Sequence, residues 1–206
     1  MFWVKSKEQK RKEHLEKLRE GVEGWNKWRE DNPDEKINLS GIRSSEFGVL
    51  TGINFANVDL SHADFTQANL KDANFTKADL TEATLTEADL MHADLTKATL
   101  AKARVTRATL MHADLTKANL TEAMLTEANL TYAILTKATL TEARMASANL
   151  TRAKLASAIL TRTDLTSANL SGTGLSEDDE ILKEAILCCT DLGGTICNRN
   201  CRQTSP

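Results

Sequence analysis

Ala78-Asp79-Leu80-Thr81-Glu82-Ala83-Thr84-Leu85-Thr86-Glu87-Ala88-Asp89-Leu90 repeats one five-residue unit, a small residue, a polar one, a bulky apolar centre and two polar residues. Outward from this stretch the centre recurs at every fifth position from Leu50 to Leu175, 26 times without a break in register. It is Phe at 55, 65 and 75, Val105, Met145, and Leu everywhere else. Two residues before the centre sits alanine in all 20 repeats from Ala63 to Ala158. A period this strict over more than half the chain is an internal repeat, and it decides the fold before anything else is read.

A period of five fits neither a helix nor a long alternating strand. On an α-helix five residues advance about 500°, so successive centres would drift by roughly 140° and form no stripe. As short extended segments the pattern works, because alanine and leucine two apart point to one side and the residue between them points out. The next two polar residues must turn the chain, so each pentapeptide is one side of a coil with a corner at its end. Ala, Leu, Glu and Lys prefer helices in isolation. Each buried Leu is worth roughly 1.5–3 kcal/mol, and more than twenty of them override that preference. Thr81, Thr86, Thr96, Thr116, Thr121 and Thr126, after the centre, suit an extended backbone. No Gly or Pro falls between Ile53 and Ser171 to interrupt the stack.

Segments such as Ala78-Asp79-Leu80-Thr81-Glu82 and Ala118-Asn119-Leu120-Thr121-Glu122 resemble the A(D/N)LXX motif of pentapeptide-repeat proteins, over residues 50–175. The resemblance implies an all-β solenoid, a right-handed quadrilateral β-helix with four pentapeptides to a coil. Residues 20 apart would then stack at about 4.8 Å, and the array would be a rod about 30 Å long.

The 206 residues carry a net charge of −3 and 41% hydrophobic content, as expected of one domain with flanking elements. No apolar run approaches the roughly 20 residues of a membrane span. Met1-Phe2-Trp3-Val4, followed by Lys5, Lys7, Lys10, Arg11 and Lys12, is no secretory signal, and the cytoplasm is the expected compartment. Residues 1–34 read as a basic segment and an amphipathic helix over 5–31. Its apolar stripe is Leu15, Leu18, Val22, Trp25 and Trp28, Gly21 and Gly24 weaken it, and Asn32-Pro33 ends it. Residues 35–49 read as an irregular approach, with Ile42 and Phe47 out of phase with Leu50.

In residues 176–206, Ser176 followed by Glu177, Asp178, Asp179 and Glu180 predicts a capping α-helix with Ile181, Leu182, Ala185, Ile186 and Cys189 on its apolar face, closed by Gly193-Gly194. Both ends of a β-helix expose unpaired backbone and apolar side chains, so both helices read as caps. For the N-terminal one, an oligomer contact, a docking helix or a membrane-surface anchor through residues 1–12 are the alternatives. Cys188, Cys189, Cys197 and Cys201 cluster in the tail, as a disulfide staple, thiols or a metal site.

Four sides per coil put Lys77, Lys97, Lys117 and Lys137 on one corner, partly neutralised by Asp94 and Asp114. The next corners alternate Glu82, Lys102, Glu122 and Glu87, Arg107, Glu127, a pattern that fixes register by charge pairing. The lysine ladder reads as a solvated surface or an anion-binding stripe. His92 and His112 stack one coil apart, as an exposed pair or a shared metal site. Met91, Met111 and Tyr132 on that side make the apolar strip expected to meet a partner.

No catalytic constellation is visible, since His14, His62, His92 and His112 have no recognisable nucleophile partner and no glycine loop cradles phosphate. The reading is therefore a non-enzymatic structural or protein-interaction module without cofactor, meeting an unknown protein partner as a monomer or weak dimer. Some members of the resembled family mimic duplex DNA and bind type II topoisomerases such as gyrase. Residues 50–175 hold 13 acids and 12 bases, and so near-neutral a surface argues against both that mimicry and nucleic-acid binding. A membrane-surface-attached scaffold is the second alternative.

Overall fold

The computed structural model describes residues 6–199, the side chain of Asn198 excepted. Parallel bridges join residues 20 apart without exception from Asn54 to Asn74 through Asn149 to Asn169, so four five-residue sides make one coil of a β-helix. Inside, the alanines and centres of all four sides meet in one continuous core; Phe55, Leu80, Leu110 and Met145 are at most 1% exposed. Phe55, Phe65 and Phe75 pack on one another with ring centroids 5.7–6.2 Å apart, and Trp25 meets Phe55 edge-on at 5.9 Å.

One repeat shows where every amide goes. Leu80 and Glu82 donate to Thr99 and Ala101 in the coil ahead (2.7 and 2.9 Å), Asp79 donates to Val58 in the coil behind, and Ala83 closes the turn onto Leu80. The fifth amide, Thr81 N, is taken by the Asp79 carboxylate at 2.9 Å. That bond is the physical content of the Asn or Asp in the motif, an Asx turn that satisfies the one donor the ladder cannot reach. The second turn residue is left-handed at all 23 corners from Asn57 to Ser167, with φ between 55° and 61° and no glycine among them. A left-handed L-residue costs roughly 1–2 kcal/mol, which the ladder bond of the corner amide and the burial of the flanking side chains offset.

The coil is longer than the unbroken five-residue period. Residues 35–49 are not an irregular approach: Asn38 and Arg43 bridge to Asp59 and Asp64, one position beyond the regular coil spacing. Ile37, Leu39 and Ile42 are buried in the common core. The single extra residue is taken up by the turn at Ser44–Glu46 and by Gly48 (φ 69°), which leaves Val49 outside and brings Leu50 in.

The expected C-terminal capping α-helix does not form among the described residues. Residues Glu180–Leu182 make one short turn, and the chain then forms an antiparallel hairpin of β1 (Leu187–Asp191) and β2 (Ile196–Arg199). Ile186 and Asp191 bridge back to Asp164 and Asn169, so Ala185-Ile186-Leu187 is a further repeat displaced by two positions from the regular spacing. Ladder bonding to an existing coil outweighs a local helix-start signal. Thr163 and Thr190 occupy alanine positions beside this slip, fully buried, and their hydroxyls donate to Leu140 O (2.8 Å) and Leu165 O (2.7 Å).

At the other end the expected single helix is two, α1 (Lys7–Arg19) and α2 (Val22–Asp31). Ser6 and Gln9 form a capping box that starts α1, and Gly21 at φ 89° breaks the chain between the two.

Candidate functional site

Two corners and the face between them hold most of the residues singled out from sequence. On one corner the planar side chains of His92, His112, Tyr132 and Arg152 stand in one column. The rings of His92 and His112 stack at 5.1 Å and 17°, and those of His112 and Tyr132 at 5.0 Å and 4°. Arg152 lies 5.5 Å over the Tyr132 ring, and its Nη1 donates to the tyrosine hydroxyl at 2.6 Å. Tyr132 is 40% exposed. Stacked face to face, the two imidazoles do not converge on a common point. Among the described residues no group of three His, Cys, Asp or Glu is placed to hold a metal. Met91 and Met111 are half-buried on the adjoining face, one position before the histidine column.

Across the face, Lys77, Lys97, Lys117 and Lys137 form the other corner, all exposed and none in an ion pair among the described residues. The face between carries Asn74, Asp94, Asp114, Ile134 and Lys154 in one bridged column. Burial works against the Asp94 carboxylate, but hydrogen bonds from Thr96 and Thr76 prevail and hold it below the usual carboxylate range. The remaining corners pair in part as the charge alternation implies, with Glu82 meeting His62 (3.3 Å) and not Lys102. Arg107 reaches both Glu87 (3.7 Å) and Glu127 (2.9 Å), and Lys102 stands 3.9 Å from Glu122. Arg152 was not singled out from sequence, although its place one coil after Tyr132 was readable once the coil length was known.

The ends are built differently. Leu18 and Trp25 are buried in the common core, with Leu15, Val22 and Trp28 packed half-buried against it. The polar work at this end is done by residues without an apolar signature. Trp25 Nε1 donates to Asn54 O (2.7 Å), Asn26 pairs with both Gly52 O and Asn54 N (2.8 Å each), and Arg29 donates to Ala56 O (2.8 Å). These are backbone groups of the first face that have no preceding coil. At the other end Leu182 is buried, Ile181 is half-buried, and Ile186 lies on the outside of its repeat where Ala185 and Leu187 fill the core. Cys188 is disulfide-bonded, Cys189 is exposed, Cys197 is a buried free thiol, and Cys201 lies outside the described residues. Of the basic segment proposed as a membrane anchor, residues 1–5 also lie outside them. No described helix is long and apolar enough to cross a membrane.

Known proteins share the five-residue period. The sequence profile described as pentapeptide repeats (8 copies) matches residues 49–86, 73–110, 88–126, 106–141 and 143–177. No match is found among curated proteins. Among solved structures, the pentapeptide repeat protein Rfr23 from the cyanobacterium Cyanothece is 26% identical, over 69% of this chain and 95% of its own, with a TM-score of 0.37. A pentapeptide repeat protein of the Arabidopsis thaliana thylakoid lumen is also 26% identical, over 65% and 84%, with a TM-score of 0.25. QnrB1, a plasmid-mediated fluoroquinolone resistance protein, is 20% identical over 76% and 80%, with a TM-score of 0.29. The profile covers more than half the residues, and the regular coil ladder accounts for the period it detects: this chain belongs to the pentapeptide repeat family.

Proposed function

We propose that the chain is a non-enzymatic protein-interaction module, a rigid right-handed four-sided rod that meets a protein partner through one face, as a monomer or weak dimer. The observation that carries this reading is the face bounded by the His92–His112–Tyr132–Arg152 column and the lysine corner. Planar side chains already held in a stack lose little freedom on binding, and Tyr and Arg are the residue types that anchor interfaces. The lysines, with no ion pair among the described residues, supply a charge for a partner to answer. The two end structures are read as caps that keep the rod from adding a further copy. The mixed acids and bases of the other corners give no one-signed field, so duplex mimicry is not adopted.

The test is affinity capture from the source lysate with the full chain and with a Lys97→Glu/Lys117→Glu/Tyr132→Ser variant of unchanged far-ultraviolet spectrum. A protein held by the first and lost by the second is the expected result. Equal recovery on both would remove this face from consideration, and turnover of a substrate by the purified chain would end the non-enzymatic reading.

A further inference from the structure

Towards its C-terminal end the coil ladder has a gap among the described residues. From Gly52 to Arg152 each centre and corner amide donates to the coil ahead. The next three do not: Leu155 N, Ser157 N and Leu160 N find no acceptor among the described residues. The carbonyls of Ala153 and Ala158, whose counterparts Ala133 and Ala138 accept from Lys154 and Ile159, are equally unanswered among them. Donation resumes at Arg162, to Glu184, and at Leu165, to Ile186. The reason is the excursion that begins at Gly172 and Gly174 (φ 73° and 79°), carries residues 174–183 off the ladder, and leaves out the bridges that 154 and 159 would make. Lys154, Ala156 and Ile159 are accordingly exposed, while the same positions one coil earlier (Ile134, Thr136, Thr139) are half-buried. A cleft of about 690 Å³ lies over the first of these sides, lined by Ala153, Leu155, Ser157, Leu175 and Ile181 among others.

We propose that this gap is a strand-addition site, in which residues 153–157 receive an extended acidic segment of a partner protein as the missing side of the coil. The inference rests on the protein-interaction reading and gives it a place and a partner chemistry. Backbone geometry fixes the mode. The ladder elsewhere pairs one middle residue with the carbonyl before it and the amide after it, as Asn74 pairs with Ile53 O and Phe55 N (2.9 and 2.7 Å). A parallel strand would set one residue over Lys154 in the same way, donating to Ala153 O and accepting from Leu155 N, and would accept from Ser157 N two residues later.

Charge fixes the side chain. The residue over Lys154 points outward beside Lys154 and Arg152, where an acid is attracted and a base repelled. Of the two carboxylates that line the same cleft, Glu180 is paired with Lys183, while Asp179, held ionised by the Ser176 amide and hydroxyl, offsets one of the two bases, which leaves a positive excess. The residues on either side of that acid face the core over Ala153 and Leu155, so the segment reads apolar, acidic, apolar. The contrast between the ends supports the same conclusion. At the N-terminal end Trp25, Asn26 and Arg29 spend polar side chains on backbone groups of the first, backward-facing edge, and no described side chain does the like for Leu155 N, Ser157 N or Ala153 O.

The test uses the full chain and a fluorescein-labelled decapeptide copying residues 78–87, which carries Ala78-Asp79-Leu80 and a net charge of −3 from Asp79, Glu82 and Glu87. Amide exchange followed by nuclear magnetic resonance should find Leu155, Ser157 and Leu160 fast in the free protein and Leu135, Lys137 and Leu140 slow. The peptide should bind saturably, slow Leu155 and Ser157, and bind at least about tenfold more weakly to a Lys154→Glu variant or when its own Asp79 is replaced by Lys. Slow exchange at Leu155 and Ser157 in the free protein would overturn the proposal, as would peptide binding that leaves them fast. Protection that appears only with rising protein concentration, together with dimer formation in sedimentation, would assign the slot to a second copy and overturn it too. Capture of a partner that ignores Lys154→Glu would reject the slot but leave the broader interaction reading standing.

Discussion

Where the middle residue of a repeat is Asn or Asp it serves the turn by hydrogen bonding, and this can be tested with the smallest change in a side chain. Asp64 accepts the amide and hydroxyl of Thr66 (3.0 and 2.6 Å), and these bonds hold its carboxyl below the usual range, as those from Thr96 and Thr76 do for Asp94. A carboxyl depressed in the folded state contributes stability that is present above its unfolded value, about 3.9, and is lost as pH falls through the folded value. Asparagine offers the same carbonyl oxygen without titrating, and occupies this position at 74, 119, 129 and 149. The Asp64→Asn/Asp94→Asn variant should therefore match the parent at pH 7 and lose less of its urea midpoint at pH 3; an equal loss would show that other groups govern acid sensitivity. The corners give a second residue-scale prediction. Ser147 is left-handed at φ 58°, so Ser147→Gly should be nearly neutral, while branching in Ser147→Val should cost about 1–2 kcal/mol in chemical denaturation.

At the scale of elements, the parts legible in the sequence are those where each side repeats its neighbour, and the misread parts are where the ladder slips. Ala185-Ile186-Leu187 satisfies the repeat pattern, but its two-position displacement makes it invisible to a strict period, and the acids after Ser176 offered a more conspicuous helix start. Asn26 and Arg29 were illegible for a related reason: their role depends on facing a coil edge, and no local spacing encodes that. The expected Met and Tyr strip divides, since Tyr132 stacks on the histidines while Met91 and Met111 lie half-buried one position before that column. The α1–α2 pair also carries a titrating group that sequence did not mark. His14 is 4% exposed, with Nδ1 unpartnered and Nε2 3.8 Å from Glu35. Burial lowers its pKa from the ordinary 6.5, with Lys10 and Arg29 adding to that and Glu35 and Glu13 opposing. A base depressed in the folded state takes up its proton more readily once released, so the docking of this pair weakens as pH falls from 6.5 toward the folded value. Trp28, its ring 5.4 Å from His14, reports the change. Tryptophan emission should shift to the red between pH 7 and 5 in the parent and stay constant in His14→Phe, with the coil's far-ultraviolet signal unchanged in both.

For the molecule as a whole, the regular ladder makes length a quantised property. Each coil touches only the coils before and after it, so stability is close to a sum of repeats and nearest-neighbour interfaces. Deleting residues 91–110, one whole coil, joins Leu90 to Met111 and leaves every later residue on its own side, with the repeat and the turn at the junction intact. The product should fold cooperatively and be shorter by about 4.8 Å, a difference read from paired scattering curves. It also removes Lys102 and Arg107, which now separate Glu82 from Glu122 and Glu87 from Glu127. Two pairs of like charges are then brought one coil apart, so this variant, unlike the parent, should gain stability as salt is raised. Deleting residues 91–108 is a smaller excision and should be far worse. It shifts every later centre by two positions in the middle of the stack, where no loop is present to absorb the slip as 45–49 and 174–183 do at the ends. If the shorter deletion kept the urea midpoint of the whole-coil one, the register would not be what holds this rod together. The expected outcome is a cooperative transition for the whole-coil deletion and loss of the C-terminal half of the coil for the shorter.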